Sequence, residues 1–375
     1  LRLPPLSLYI HLPWCVKKCP YCDFNSHART DLPEEAYLQS LIKDLKQELV
    51  YIQGRAISSI FFGGGTPSLM TGDFYLKLFD ALRAHLRFEP DIEITLEANP
   101  GASDAEHFKT YAKAGINRIS LGVQSFQNPQ LEALGRIHRS DHIYKAVNAI
   151  RDSGIDNFNL DLMHGLPDQS IELAMNDLEQ AFALQPNHIS WYQLTIEPNT
   201  EFFSRPPALP NDELLWGILE QGGRLLADHG YGQYEVSAFA QSGRQARHNM
   251  NYWRFGDYIG LGAGAHSKVT LIDSGHLLRH RKSRMPEAYM ADRVTYRVGE
   301  EAIEPEAQSF EFMMNALRLK NGVEESLFED VTQLGLKDVE AVLKDLRSEG
   351  LMHSTRIQLT ERGFLFLNSV LERFL

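Results

Sequence analysis

A chain of 375 residues, 43% hydrophobic and 10% aromatic, has material for one large globular domain and a small one. A formal net charge of -12 argues against a protein that wraps nucleic acid through phosphate contacts, and no nucleic-acid partner is expected. No apolar run reaches the ~18 residues of a membrane span, the pattern of a secretory leader is missing, and a start at Leu1 fits a trimmed native N-terminus.

The first strand is expected at 7–12. It leads into a loop that holds all three cysteines, Cys15, Cys19 and Cys22, spaced C-x3-C-x2-C. A helix over 33–53 follows, with Thr30 or Asp31 as cap, Pro33 in its first turn, and Leu38, Leu41, Ile42, Leu45 and Leu49 at helical spacing before Gly54. The apolar strand 57–62 runs into Gly63-Gly64-Gly65-Thr66-Pro67. The alternation continues as helix 71–86, strand 92–97, helix 103–114, strand 118–123, helices 128–135 and 140–153, strand 157–162, helix 170–184 and strand 189–195. Strands separated by whole helices pair in parallel through right-handed crossovers. Six such units predict an α/β fold, an incomplete (β/α)6 barrel, with a doubly wound open sheet as the rival.

Residues 201–300 read as a less regular extension. It holds helix 211–228, the segment Gly230 to Ser237, the run His248-Asn249-Met250-Asn251-Tyr252-Trp253, and a glycine-rich stretch over 259–267. From 301 to 375 the pattern is helical, with helices over 306–319, 325–334, 337–348 and 364–374 and a short strand pair. This predicts a small winged-helix-like domain. Its acids Glu324, Glu325, Glu329 and Asp330 favour packing or partner docking over DNA binding.

Polar and glycine residues fall at the C-terminal strand ends: Gly63 to Thr66, Glu97, Gln124, Asp161 and Thr195. That rim is where β/α folds build active sites, and core packing would place apolar residues there. Three thiolates on one loop suit three irons of a cubane iron–sulfur cluster, leaving the fourth iron without a protein ligand. A closed zinc site needs a fourth ligand, for which His11 or His27 stands nearby. An odd cysteine count disfavours a disulfide framework, and reduced cysteines suit the cytoplasm. The GGG run lets a ligand approach the backbone or simply makes a tight turn. It lacks P-loop spacing.

The cysteine spacing, with Tyr21 just before the third cysteine, resembles the signature of the radical S-adenosylmethionine (SAM) superfamily. In that family the methionine part of SAM chelates the fourth iron of a [4Fe-4S] cluster, and an electron from the cluster splits the sulfonium. The order Tyr9-Ile-His-x-Pro-x-Cys, GGGTP, LEANP, LGVQSF, LGR and DL-x-x-GLP is similar to one branch of that superfamily. This is the HemN/HemW branch of anaerobic coproporphyrinogen III oxidase and its heme-chaperone relatives. Carried over residue by residue, the resemblance implies cluster ligands Cys15, Cys19 and Cys22. It implies SAM contacts at Tyr9, Tyr21, Gly64, Gly65, Thr66, Glu97, Gln124, Arg136 and Asp161.

Three departures from the oxidase point to the chaperone side. Phe24 stands where the oxidase has a further cysteine, the oxidase's N-terminal extension is missing, and His248-Asn249-x-x-Tyr252 forms an H-N-x-x-Y motif. The resemblance then implies binding of heme and its transfer to an acceptor protein, with His248 and Tyr252 as axial-ligand candidates. An ordinary hydrogen-bonded histidine is the plainer reading of His248. Oxidative decarboxylation of coproporphyrinogen III is the alternative function, and a tRNA-modifying enzyme is a weaker one. A cluster-dependent homodimer is expected from the family, and peripheral membrane contact is compatible with the chain.

Overall fold

The computed structural model describes residues 3–102, 105–291 and 294–375. The strands are β1 (Leu6–Leu12), β2 (Trp14–Cys15), β3 (His27–Ala28), β4 (Ile57–Gly64), β5 (Phe88–Ala98), β6 (Arg118–Gln124), β7 (Asn157–His164), β8 (His188–Gln193), β9 (Gly232–Glu235), β10 (Ala238–Ala240), β11 (Asp257–Leu261), β12 (His266–Thr270), β13 (Leu277–Lys282) and β14 (Arg297–Ala302). The helices of the first half are α1 (Glu34–Glu48), α2 (Gly72–His85), α3 (Ala105–Ala114), α4 (Asn128–Ala133), α5 (Ser140–Asp152), α6 (Ile171–Ala183) and α7 (Glu201–Ser204). After them come α8 (Asp212–Asp228), α9 (Arg247–Trp253), α10 (Pro286–Met290), α11 (Pro305–Ala316), α12 (Glu325–Thr332), α13 (Glu340–Ser348), α14 (Glu361–Leu365) and α15 (Leu367–Leu371).

β1, β4, β5, β6, β7 and β8 pair in parallel in that order, each joined to the next by helices, as the alternation predicts. The strands are apolar on the face that the helices cover and polar on the barrel face, where Ser7, Ser59, Thr95, Ser120 and Asn159 are buried. Leu6, Leu8, Ile10, Ile60, Phe62, Leu96, Leu121 and Leu160 are all buried. Among the described residues the sheet stays open, so the fold is a partial barrel with a further α-rich unit behind it.

The region between them is more regular than its sequence suggests. β11 joins the far side of β1 in parallel and continues antiparallel into β12, β13 and β14, while β10 and β9 extend the sheet beyond β8. The parallel run thus becomes a twelve-stranded sheet. These added strands are short or charged on one face, so their period-2 signal is weak. Residues 303–370 close a second apolar core around Phe312, Met313, Phe328, Leu346 and Ile357. There α11, α12 and α13 lie with a β pair of only two bridges beyond the sheet, Val323↔Ile357 and Met352↔Leu359. The helix expected over 364–374 is broken at Phe366 into α14, α15 and a 3-10 turn. No described helix is long and apolar enough to cross a membrane.

Candidate functional site

The cysteine loop hangs over the C-terminal ends of the parallel strands and is tied there by backbone. Gly65 N–H donates to the Leu12 carbonyl at 2.8 Å and Thr66 N–H to the Trp14 carbonyl at 2.7 Å. A Cβ on Gly65 would stand 2.3 Å from the Trp14 carbonyl oxygen, so only glycine allows this approach. β2 pairs with β3, which fixes Cys15 against Ala28. The Asn25 side-chain amide donates to the carbonyls of Ala263 and Arg284 at 3.0 and 2.9 Å, holding the far end of the loop.

Both nitrogens of His11 are engaged. Nε2 donates to the Asn25 carbonyl at 2.8 Å, and Nδ1 accepts from the Tyr9 hydroxyl at 2.9 Å. Burial pushes His11 down to about 4, so it is neutral at pH 7 and supports the loop rather than offering a ligand. Among the described residues no three His, Cys, Asp or Glu side chains gather around a single ion. A cubane differs in spreading its thiolates over separate irons. Cys15 is buried, Cys19 and Cys22 are half-buried, and burial pushes the Cys15 thiol up.

Beneath the loop lies a cavity of about 350 Å³. All three cysteines line it, together with Tyr21, Gly64, Gly65, Thr66, Glu97, Gln124, Arg136 and Asp161. Tyr9 is the SAM candidate that does not line it. Its hydroxyl is spent on His11 and its ring lies against Phe61. Thr195 also stays outside, exposed and bonded to Glu197.

β8 instead contributes Ser190 and Tyr192, and β6 contributes Ser120, residues that reading strand ends alone misses. Their signal is period 2: Ser120, Gly122 and Gln124 on β6, and Ser190 and Tyr192 on β8, point to one face. Phe24 stands at the mouth, 65% exposed.

The charges of the cavity are set by its walls. Glu97 accepts from Gly64 N–H at 3.1 Å, and burial, then the nearby Asp161, pushes its carboxyl up to about 8. Asp161 accepts from Ser120 Oγ at 3.0 Å and Asn159 Nδ2 at 2.8 Å, while burial pushes it up as well. Arg136 donates to the Gly122 carbonyl at 2.9 Å and reaches toward Cys19 Sγ at 3.6 Å. Its buried Nε has no partner. Tyr192 donates to Gln124, which takes a left-handed φ of 67° at the end of β6.

One loop of thiols over a cavity with two carboxylates and an unsatisfied guanidinium nitrogen fits a cluster with a zwitterionic, hydroxylated ligand. Thiols of this kind can bind iron, a buried guanidinium can pair with a carboxylate, and buried carboxylates can take ammonium or hydroxyl groups.

His248 and Tyr252 lie elsewhere, on α9, which packs against β4, β1 and β11. Glu93 accepts from the N–H groups of Arg247 and His248, both at 3.1 Å, and so holds the helix start. The His248 ring is buried and stacked on Phe61, with Nδ1 bonded to Ser59 at 2.9 Å and Nε2 to Tyr252 at 3.0 Å. Burial pushes it down to about 3. In this conformation neither nitrogen is offered to an iron, and the two residues do not share the cavity of the cysteines.

Comparison with known proteins places these features in context. Residues 9–179 match the model of the radical SAM superfamily, and residues 303–366 that of the HemN C-terminal domain. The chain is 51% identical to heme chaperone HemW of Escherichia coli (strain K12), over 100% of this chain and 99% of that one. It is 33% identical to heme chaperone HemW of Bacillus subtilis (strain 168), over 98% and 99%. Among solved structures, coproporphyrinogen III oxidase (HemN) from Escherichia coli superposes with a TM-score of 0.83 at 24% identity, over 99% of this chain and 90% of that one.

Proposed function

The chain belongs to the radical SAM superfamily and, within it, to the HemN/HemW branch; on that premise we propose that it binds heme and passes it to an acceptor protein. The observation that carries this reading is whole-length identity of 51% to a relative named heme chaperone. Phe24 standing where the oxidase has a further cysteine supports it.

In this reading Cys15, Cys19 and Cys22 hold a [4Fe-4S] cluster whose fourth iron is left to SAM. Gly64, Gly65, Thr66, Tyr21 and Gln124 shape the walls around SAM. Arg136 pairs with its carboxylate, and Glu97 and Asp161 take its ammonium and hydroxyl groups. Tyr9 acts one layer behind, by fixing His11. When bound, the cluster supplies a one-electron reductant next to the sulfonium. The protein's own part is to hold that ligand dry, in one orientation, with its charges matched.

For heme, His248 and Tyr252 remain the ligand candidates, and coordination requires His248 to release Tyr252 or Ser59. The reduced cysteines suit the cytoplasm. A homodimer that forms with the cluster should show in gel filtration before and after reconstitution.

The test is anaerobic. Reconstituted protein is given SAM, reductant and coproporphyrinogen III and assayed for protoporphyrinogen, and in parallel titrated with heme. A Soret shift with no protoporphyrinogen is expected. Turnover to protoporphyrinogen overturns the proposal in favour of the oxidase reading. A His248→Ala protein with the same Soret band and affinity places the heme ligand on another side chain.

A further inference from the structure

Asp161 is not oriented by its neighbours in the cavity alone. Behind it, inside the barrel, lies a run of buried polar groups: Asn159, His188 and Tyr234, with side chains from β7, β8 and β9. A backbone N–H fixes the direction of hydrogen bonding at each end of it, at Asn159 and at Tyr234. Ser190 N–H lies 2.9 Å from Asn159 Oδ1, and a backbone N–H can only donate. This sets the amide, so Asn159 Nδ2 faces Asp161 Oδ1 at 2.8 Å and Ser120 Oγ at 2.7 Å.

His188 Nδ1 lies 2.6 Å from the same Asn159 Oδ1 and must therefore carry its proton. Burial and the charge of Arg118 keep the imidazole neutral, which leaves Nε2 an acceptor. Tyr234 donates to it at 2.7 Å, and Tyr234 in turn accepts from Ala246 N–H at 3.3 Å, at the start of α9. All donors point one way, from Ala246 through Tyr234, His188 and Asn159 to Asp161. Bonds chained in one direction polarise each other and reinforce the acceptor at the end.

We propose that His188 and Tyr234 are positioning residues for ligand binding: their hydrogen-bond chain, acting with the Ser190 N–H and Oγ donors to the same oxygen, holds the Asn159 amide firmly in the orientation that presents Asp161 to the ligand in the cavity. Neither side chain lines that cavity. The inference rests on the SAM reading of the site. It adds that affinity for SAM depends on a histidine tautomer in the barrel interior, and that the chain ends on the helix carrying His248 and Tyr252. If Asn159 flips, its carbonyl meets the Asp161 carboxylate, and two acceptors face each other.

The experiment uses the full chain with its cluster reconstituted anaerobically and oxidised, so that SAM is bound without turnover. SAM dissociation constants are measured by calorimetry for the wild type, His188→Phe, His188→Asn and Tyr234→Phe, with iron per chain determined in each. The expected result is a rise in Kd of about tenfold for His188→Phe, the scale of a hydrogen bond to a charged group. His188→Asn, whose amide replaces the Nδ1–H donor, should return within about threefold of wild type, with iron content equal in both.

Tyr234→Phe leaves His188 Nε2 without its donor and breaks the polarising chain, and should raise Kd by about threefold or more. It decides the matter if His188→Phe does not fold. An unchanged Kd in His188→Phe, or in Tyr234→Phe where that variant decides, overturns this inference while the SAM reading stands. A failure of His188→Asn to restore affinity likewise assigns His188 to packing alone. Wild-type protein that does not bind SAM overturns the cofactor reading, and this inference with it.

Discussion

Burial and the neighbouring Asp161 favour the protonated form of Glu97 at pH 7, so it must ionise to receive a cation. Its carboxyl rises from an ordinary 4.5 to about 8, first by burial and then by Asp161. Binding an ammonium group through it therefore expels a proton below pH 8. SAM affinity should rise by up to about tenfold per pH unit from about pH 6 to 8 and level off above. Calorimetry in buffers of different ionisation enthalpy reads the released proton directly, and Glu97→Gln should flatten the profile. The same shift acts on stability with the opposite trend. A raised carboxyl stabilises the fold fully below pH 4.5, and that contribution is lost as pH climbs toward about 8. Gly65 makes a steric prediction. Gly65→Ala drives a methyl group into the Trp14 carbonyl. It should cost about 1–3 kcal/mol in chemical denaturation and lower the iron retained per chain.

At the scale of elements, the glycine turn, Glu97, Gln124 and Asp161 were legible in the sequence because each stands at the end of an apolar strand, whereas Arg136, in the loop after α4, came only from the LGR motif of the resemblance. Ser120, Ser190 and Tyr192 were not, since they lie inside strands and only the pleat brings them to the rim. Helix α9 shows a different limit. H-N-x-x-Y puts His248 and Tyr252 one turn apart on one face, but what that face meets depends on β1, β4 and β11, far away in sequence. Asn251, between them, is the anchor: its Nδ2 donates to the Asp257 carbonyl at 2.8 Å. Asn251→Ala removes this anchor while the carbonyl keeps its partner in the β1–β11 ladder, and should cost about 0.5–1.5 kcal/mol. Faster amide exchange confined to residues 246–253 would locate the loss.

Across the whole molecule, the order of the parallel strands followed from the alternation of strands and helices, but the extension did not. What binds it to the barrel is polar and long-range. Lys282 on β13 is fully buried and bonds Asp44 and Glu48 of α1, each at 2.6 Å. His280 meets the other oxygen of Glu48 at 2.7 Å, and Tyr289 meets Asp44 at 2.7 Å. Single charged residues scattered through a sequence give no sign of their partners, so this seam could not be read in advance. Lys282→Met strands two carboxylates in the interior and should destabilise the protein by about 3–5 kcal/mol in urea. Asp44→Asn/Glu48→Gln in the same background should recover part of the loss, as a double-mutant cycle would show.

The backbone ties of the glycine turn also decide which ligands the cavity rejects. A phosphate-binding loop works by pointing free N–H groups at an anion. Here Gly64 N–H is committed to Glu97, Gly65 N–H to Leu12 and Thr66 N–H to Trp14. These three N–H groups are used up in folding, so the turn cannot cradle an anion as a phosphate-binding loop does. On the proposed SAM reading, the turn therefore disfavours an adenosine compound that would bring a polyphosphate to this spot in place of a cationic amino acid, because its donors are already engaged within the fold.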